Sequence, residues 1–462
     1  MSIDRTVMMI NPTNLGNGVF GPNNGLNQII FELPRKPVIG LGKTLRISGN
    51  FTLLNGADTA SNNANMFYGN AAVPANPPAL DFGMDGRTCV HSAIETMSIQ
   101  NLEGATFSTV KTYNRLCSSI LALKTSILDY QNGGVDIDSG GLGKDVSQGL
   151  KTDRQFSFSI PIYDGLLLGQ PLNMYLLKGL RIVLTLASNN YVVHNNNWRN
   201  QASVSAKADG GAYYQISDVL LTMDTQPLPA DAQKAVMSPQ GQKGVLEYNT
   251  YSSFYNVLQS ADHNLTMNIN TGRTLGIVGN LIPSQWVNNY DFNSQQTVQP
   301  LYVTGGRFQY RIQVDEETYY KGGLRLPLDF VVESETSSAE GVASSMKNKT
   351  ELNAVTNEWS ADRFVKSLAT ELSNPLDGAT QSRWDRSARP SLVDEDLRNQ
   401  WNIGVGYDHI TDNGSNFKNN PFAMRLRLTA STGEQILPHS MFLFVKQKNT
   451  IIFQNGMVNV IN

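Results

Sequence analysis

Apolar and polar residues alternate one for one along most of the recognisable elements of this chain, and that period of two commits it to β structure. Leu45, Ile47, Phe51 and Leu53 are interleaved with Arg46, Ser48, Asn50 and Thr52, so one side of an extended strand is apolar and the other polar. The same pattern runs through FSFSIPI (156–162), LTMNIN (265–270), FQYRIQV (308–314) and MRLRLTA (424–430). Asn-Gly pairs at 55–56, 132–133, 413–414 and 455–456 suit the positive φ angles of tight turns, so TIIFQNGMVNVI (450–461) is a predicted hairpin.

Two stretches carry a helical period instead. In one, Ser108 is the expected cap of a segment whose Val110, Tyr113, Cys117, Ile120 and Leu121 share a face; in the other, Ser360 precedes ADRFVKSLATEL (361–372), with Phe364, Val365, Leu368 and Leu372 in register. Helices this sparse exclude a repeated βαβ unit and with it a parallel-sheet enzyme. Long irregular segments at 55–87, 129–153, 189–212 and 333–400 are expected to be functional surface, or to be ordered by a neighbour.

The segment PLPADAQKAVMSPQGQKG (227–244), polar and holding three prolines, reads as a linker. LRIVLTLAS (180–188) before it is echoed by MRLRLTAS (424–431) near the end of the chain. The expected fold is therefore all-β: two tandem jelly-roll β-barrels, each with long loop insertions and a short helix. Its divisions are an N-terminal arm over 1–24, a first jelly roll over 25–226, a linker over 227–245 and a second jelly roll over 246–462.

Composition narrows the function. The chain has 462 residues, of which 16% are charged, and its 36 basic and 39 acidic side chains nearly cancel to −3. No large net charge draws it to nucleic acid or anionic lipid. Low charge with 39 glycines and abundant asparagine describes a polar surface suited to packing against other copies. Two cysteines, Cys89 in a strand-like and Cys117 in a helix-like stretch, cannot frame a disulfide scaffold. The N-terminus lacks the apolar core of a signal peptide, and MFLFV (441–445) is among the longest apolar runs, so a soluble protein made in the cytosol is expected.

Catalytic and cofactor motifs fail on context. GNGVFG (16–21) fits a dinucleotide fingerprint, but Pro22-Asn23-Asn24-Gly25 follows where a helix is required. GLGKT (40–44) has proline at position 37, where a phosphate loop needs glycine, and leads into a strand. DIDSGG (136–141) lacks the oxygen ligand at Gly140 and the closing glutamate at Ser147 that a calcium loop demands, and has no second Asp-Ser-Gly. His91, His194, His263, His409 and His439 show no metal-ligand spacing. Basic-aromatic neighbours such as Arg307-Phe308, Tyr310-Arg311 and Trp384 between Arg383 and Arg386 fit strands with aromatics inside better than a single-strand binding groove. No catalytic, cofactor-binding or metal residue is therefore assigned.

The arm leading into NQIIFELPRK (27–36), then LRISGNFTLLNG, HSAIETMSIQNLEG (91–104), the helix carrying TYNRL (112–116), the linker and the terminal FLFVKQKNTIIFQNGMVNVI together resemble the double jelly-roll major capsid proteins of eukaryotic DNA viruses, especially the virophage and Polinton-like group. The resemblance implies a homotrimeric, pseudo-hexameric capsomer of an icosahedral shell, since six barrels fill a six-coordinated position. It implies as partners the chain itself, neighbouring capsomers, penton and minor capsid proteins and an internal membrane, with no sequence-specific nucleic-acid binding, no cofactor and no enzymatic activity. The resulting location is the virion capsid. On this basis 55–87 and 333–400 are expected outer loops or intersubunit contacts, and 1–24 an arm for inter-capsomer or membrane contact. The alternative is a carbohydrate-binding β-sandwich, for which Trp286, Trp359, Trp384 and Trp401 are the candidate aromatics. A viral spike or fibre is disfavoured by the lack of short repeats or a coiled-coil stalk.

Overall fold

The computed structural model describes residues 5–55, 82–85, 88–124, 155–195, 212–259, 262–290, 294–295, 307–314, 328–333, 402–406, 416–418, 422–429, 438–454 and 456–461. The first half contains β1 (Thr6–Ile10), β2 (Val19–Phe20), β3 (Gln28–Leu33), β4 (Val38–Gly40), β5 (Arg46–Asn55), β6 (Phe82–Met84), β7 (Ile94–Gln100), β8 (Thr106–Lys111), β9 (Gln155–Ile160), β10 (Leu172–Asn173), β11 (Leu180–Leu186), β12 (Val193–Asn195) and β13 (Ala212–Pro227). The second contains β14 (Gly244–Leu258), β15 (Asp262–Met267), β16 (Thr274–Pro283), β17 (Arg307–Val314), β18 (Leu328–Glu333), β19 (Asn402–Gly406), β20 (Phe422–Thr429), β21 (His439–Gln454) and β22 (Met457–Ile461). Among the described residues the α-helices are few and short: α1 (Tyr113–Lys124), α2 (Gly165–Gly169), α3 (Asn189–Val192) and α4 (Ala230–Met237).

Strand order shows what the halves share. In the first half β1-β13-β5-β9 form one antiparallel path and β3-β11-β7-β8 the other; in the second the paths are β14-β21-β16-β19 and β15-β20-β17-β18. Ranking the eight barrel strands of either half along the chain gives 1-8-3-6 and 2-7-4-5 both times. First pairs with last, second with seventh, third with sixth and fourth with fifth, which is one long antiparallel hairpin rolled into two facing sheets. The remaining strands extend these sheets or form the separate β6–β12 pair.

The period-two pattern places side chains as expected. Leu45, Ile47, Phe51 and Leu53 are all buried, as are Phe156, Phe158, Ile160 and Ile162. Phe51 stacks against Phe156 and Tyr214, each with ring centroids 5.4 Å apart. The echoed segments, β11 and β20, hold the same second place in equivalent sheets, so the resemblance between them marks repetition of a structural position. The expected hairpin at 450–461 forms as β21 and β22.

Several local expectations are corrected. Thr6–Ile10, within the expected arm, is the first strand of the first barrel and pairs along its length with β13; Val19–Phe20 also joins this sheet. That pairing counts against an arm reaching outward over these residues. Ser108 does not cap a helix but lies in β8, because Phe107 and Val110 are buried while Thr106, Thr109 and Lys111 face solvent. The chain leaves the strand at Thr112, whose φ of 51° breaks the extended run, and α1 begins at Tyr113. Cys89 opens a 3₁₀ turn rather than a strand. The linker contains α4, since Ala, Gln, Lys and Met favour helix and Asp231 suits its N-terminal turn. The helix ends before Pro239, which disfavours helical backbone in the preceding residue. The second expected helix (361–372) lies outside the described residues.

Candidate functional site

The first half meets the second along a largely buried joint of direct hydrogen bonds, most of them between neutral groups and two from the Arg115 guanidinium. Tyr248 on β14 donates its hydroxyl to the Phe107 carbonyl at 2.6 Å, and Ser253 donates to the Lys111 carbonyl at 2.6 Å. Between them, Ser108 Oγ and Thr250 Oγ1 lie 2.6 Å apart. Ser108 also donates to Asp164 Oδ2 at 2.7 Å, while the Leu166 amide donates to Oδ1 at 2.9 Å, so Asp164 caps α2. Burial pushes the Asp164 carboxyl up to about 6, opposed by the hydrogen bonds from Ser108, Leu166 and Leu167. Close approach here demands glycine: a Cβ on Gly165 would sit 2.3 Å from the Asn249 carbonyl oxygen.

The second part of the joint is carried by α1. Arg115 is fully buried; its guanidinium donates to the Ser294 carbonyl at 2.6 Å and to Asn280 Oδ1. Asn280 in turn donates to Ser119 Oγ at 2.6 Å, back on α1. The guanidinium carbon also stands 5.0 Å from the ring centroid of Phe442. Tyr255, Phe442 and Asn280 occupy one row across β14, β21 and β16, so α1 packs on that face of the sheet. Burial lowers Arg115 to about 10, leaving it charged at neutral pH. A third contact runs from Gln295 Nε2 to the Tyr191 carbonyl at 3.2 Å and from Ser294 Oγ to the Asn190 carbonyl at 3.3 Å.

Two apolar strips face outward at comparable places in the two barrels. Val7 and Met9 on β1 are 57% and 66% exposed, opposite Asp224 and Thr222 of β13. In the second barrel Val245 on β14 is 67% exposed and Met457 and Ile461 on β22 are 60% and 50% exposed. Register places Val245 opposite Ile452, Ile461 opposite Thr450 and Met457 opposite Gln454, all on one face of that sheet.

The sequence motifs take structural places. Gly42–Thr44 of GLGKT is a 3₁₀ turn leading into β5, its Thr44 hydroxyl bonded to the Leu41 carbonyl at 2.7 Å. GNGVFG forms turns at Gly16 and Gly18 and then β2. His91, His194 and His439 are buried, and His263 lies in β15. Cys117 Sγ sits 3.7 Å from His91 Nδ1, and Cys89 Sγ 3.9 Å from Met84 Sδ. No metal-binding group of His, Cys, Asp and Glu occurs among the described residues. Trp286 is buried and so offers no ring to a sugar. His409, Trp359, Trp384, Trp401, Arg383, Arg386 and DIDSGG lie outside the described residues, as does most of 55–87 and all of 334–400. Sequence reasoning missed Arg115, Asn280, Asp164 and Thr250. The available signal was an arginine inside a helix with serines three and four residues on, Ser118 and Ser119, small enough to let a neighbouring strand approach.

No protein-family model matches the chain, and no curated relative matches it in sequence. Similarity to solved structures is extensive in shape and slight in sequence. The structure of PBCV-1 VP54 fitted into a cryo-EM reconstruction of the virophage Sputnik is 11% identical with a TM-score of 0.56, over 100% of this chain and 98% of that one. The PBCV-1 virus capsid gives 12% and 0.54, over 100% and 98%, and the Sputnik virophage 11% and 0.54, over 99% and 88%. This chain therefore has the double jelly-roll fold of viral major capsid proteins.

Proposed function

We propose that the chain is a major capsid protein whose homotrimer forms a pseudo-hexameric capsomer of an icosahedral DNA-virus shell. The observation that carries this reading is the identical 1-8-3-6 and 2-7-4-5 strand order in both halves. Three copies supply six equivalent barrels, the number a six-coordinated lattice position needs. The boundaries proposed are two jelly rolls joined by a linker at about residues 227–245, with the first roll starting at β1 rather than after an arm. The outward strips at Val7 and Met9 and at Val245, Met457 and Ile461 support contact between copies, because exposed apolar side chains lose water favourably on burial. Their comparable placement suits a trimer that alternates first and second barrels around its axis. The role is structural rather than enzymatic and the location is the virion capsid, with vertex and minor capsid proteins as further partners.

Native mass by light scattering, with negative-stain images of the same fraction, tests this. Three chains of 50.8 kDa give about 152 kDa, and a particle of that mass with a pseudo-hexagonal outline is expected. A monomer that persists at high concentration overturns the proposal.

A further inference from the structure

We propose that the joint between the two jelly rolls is a proton-sensitive lock, in which uptake of a proton by Asp164 strengthens the contact of β8 and α2 with β14. This goes beyond the capsid reading and does not depend on it.

The geometry makes Asp164 the pivot of the joint. Its two oxygens serve the two sides of one contact: Oδ1 caps α2, whose first residue, Gly165, lies against the Asn249 backbone, and Oδ2 receives the Ser108 hydroxyl, which touches Thr250. The chain Asp164–Ser108–Thr250 therefore crosses from the first barrel into the second by direct hydrogen bonds. In the ionised state both hydroxyls must turn toward the carboxylate, Thr250 donating to Ser108 and Ser108 to Asp164. Protonated, Asp164 donates instead, the chain reverses, and every member stays bonded.

Charge separates the two states. Among the described residues no cationic side chain contacts the Asp164 carboxylate, and its hydrogen bonds only partly offset the cost of burying the anion. On the elements packed against it, Lys43, Lys111 and Glu247 are exposed to solvent. Tyr248 is the phenol on β14 whose ionisation Asp164 opposes. Tyr163 precedes Asp164 in the chain; its amide donates to the Tyr113 hydroxyl at 2.7 Å, and its ring lies 5.2 Å from that of His91.

The sign follows from linkage. The Asp164 carboxyl is raised from 3.8 to about 6, so the folded state holds this proton more tightly than the unfolded chain. Stability is gained as pH falls through about 6 and is complete below 3.8.

The test compares the full-length wild type with Asp164→Asn, which cannot titrate, by denaturant unfolding from pH 7.5 to 5. The folded-to-unfolded ratio of wild type relative to the variant should rise about tenfold on acidification. A difference that does not change with pH overturns the proposal. Amide exchange, corrected for intrinsic rates, should show the relative gain in protection concentrated in Thr106–Lys111 and Gly244–Leu258. A gain spread evenly over all strands overturns the assignment to the joint. Should Asp164→Asn not fold, Ser108→Ala replaces it: its loss of stability should be larger at pH 7.5 than at pH 5, and equal losses count against the lock.

Discussion

Arg115, on the helix of the first half, rests its guanidinium against the side-chain amide of Asn280, on an interior strand of the second. The amide nitrogen of Asn280 returns a hydrogen bond to Ser119, one turn further along the same helix. The two barrels thus share a polar core contact as well as a continuous apolar one, since the buried residues of both halves form a single cluster.

Removing Arg115 should be severe. Arg115→Ala leaves Asn280 Oδ1 and the Ser294 carbonyl buried without this donor, and should cost about 2–6 kcal/mol, at about 1–3 kcal/mol for each unsatisfied acceptor. Asn280→Ala takes away one acceptor and should cost about 1–3 kcal/mol. Because the residues are in contact, the double variant should lose less than the two single losses added. Denaturant unfolding monitored by circular dichroism checks all three.

The joint should also reject a single methyl group. Gly165→Ala drives a Cβ into the Asn249 carbonyl, backbone against backbone, and should destabilise by about 1–3 kcal/mol. Limited proteolysis should show faster cleavage in the linker between Pro227 and Gly244. Cleavage at the wild-type rate would mean that the barrels do not meet as closely as described.

Tyr248→Phe keeps the ring and deletes the hydroxyl that reaches the Phe107 carbonyl. A loss of about 0.5–1.5 kcal/mol is expected from chemical denaturation.

Glu247 should respond to acid in the opposite sense to Asp164. Hydrogen bonds from Arg273 and Lys448 hold its carboxyl below the usual 4.5. Its contribution is present above 4.5 and is lost as pH falls through the lower folded value. Glu247 itself is exposed, so Glu247→Gln should cost less than about 1 kcal/mol at neutral pH, and less still in high salt. Thermal melts at two salt concentrations and at pH 3.5 and 7 separate the effects.

Charge on the outward strips should stop assembly without unfolding the chain. Met9→Asp and the double variant Val245→Asp, Met457→Asp alter side chains that already face water, so melting should shift little. Light scattering should then report a monomer in place of the trimer proposed for the wild type. An unaltered trimer in both variants would place the contact between copies elsewhere.

Much of the fold is written in local pattern. Alternation at Leu45–Leu53, 156–162 and 180–186 is enough to say strand and to name the buried face, because a pleated chain sends successive side chains to opposite sides. Repetition of LRIVLTLAS as MRLRLTAS is enough to expect a second barrel built like the first. Pattern failed where the next element decides the matter. Ser108 has the chemistry of a helix cap, but pairing with β7 keeps it extended, and its hydroxyl serves Asp164 and Thr250 instead.

By itself, the sequence determined that the chain is β-rich, duplicated, nearly neutral and without a recognisable catalytic motif. Those properties follow from the period of neighbouring side chains and from composition, and both are local. Only the tertiary structure decided that β1 closes the first barrel, that Arg115 enters the second half, and that Asp164, Ser108 and Thr250 form one chain across the joint. These contacts join residues 56 to 219 positions apart. Their partners are set by how two rolled sheets pack against each other, which no spacing along the chain encodes.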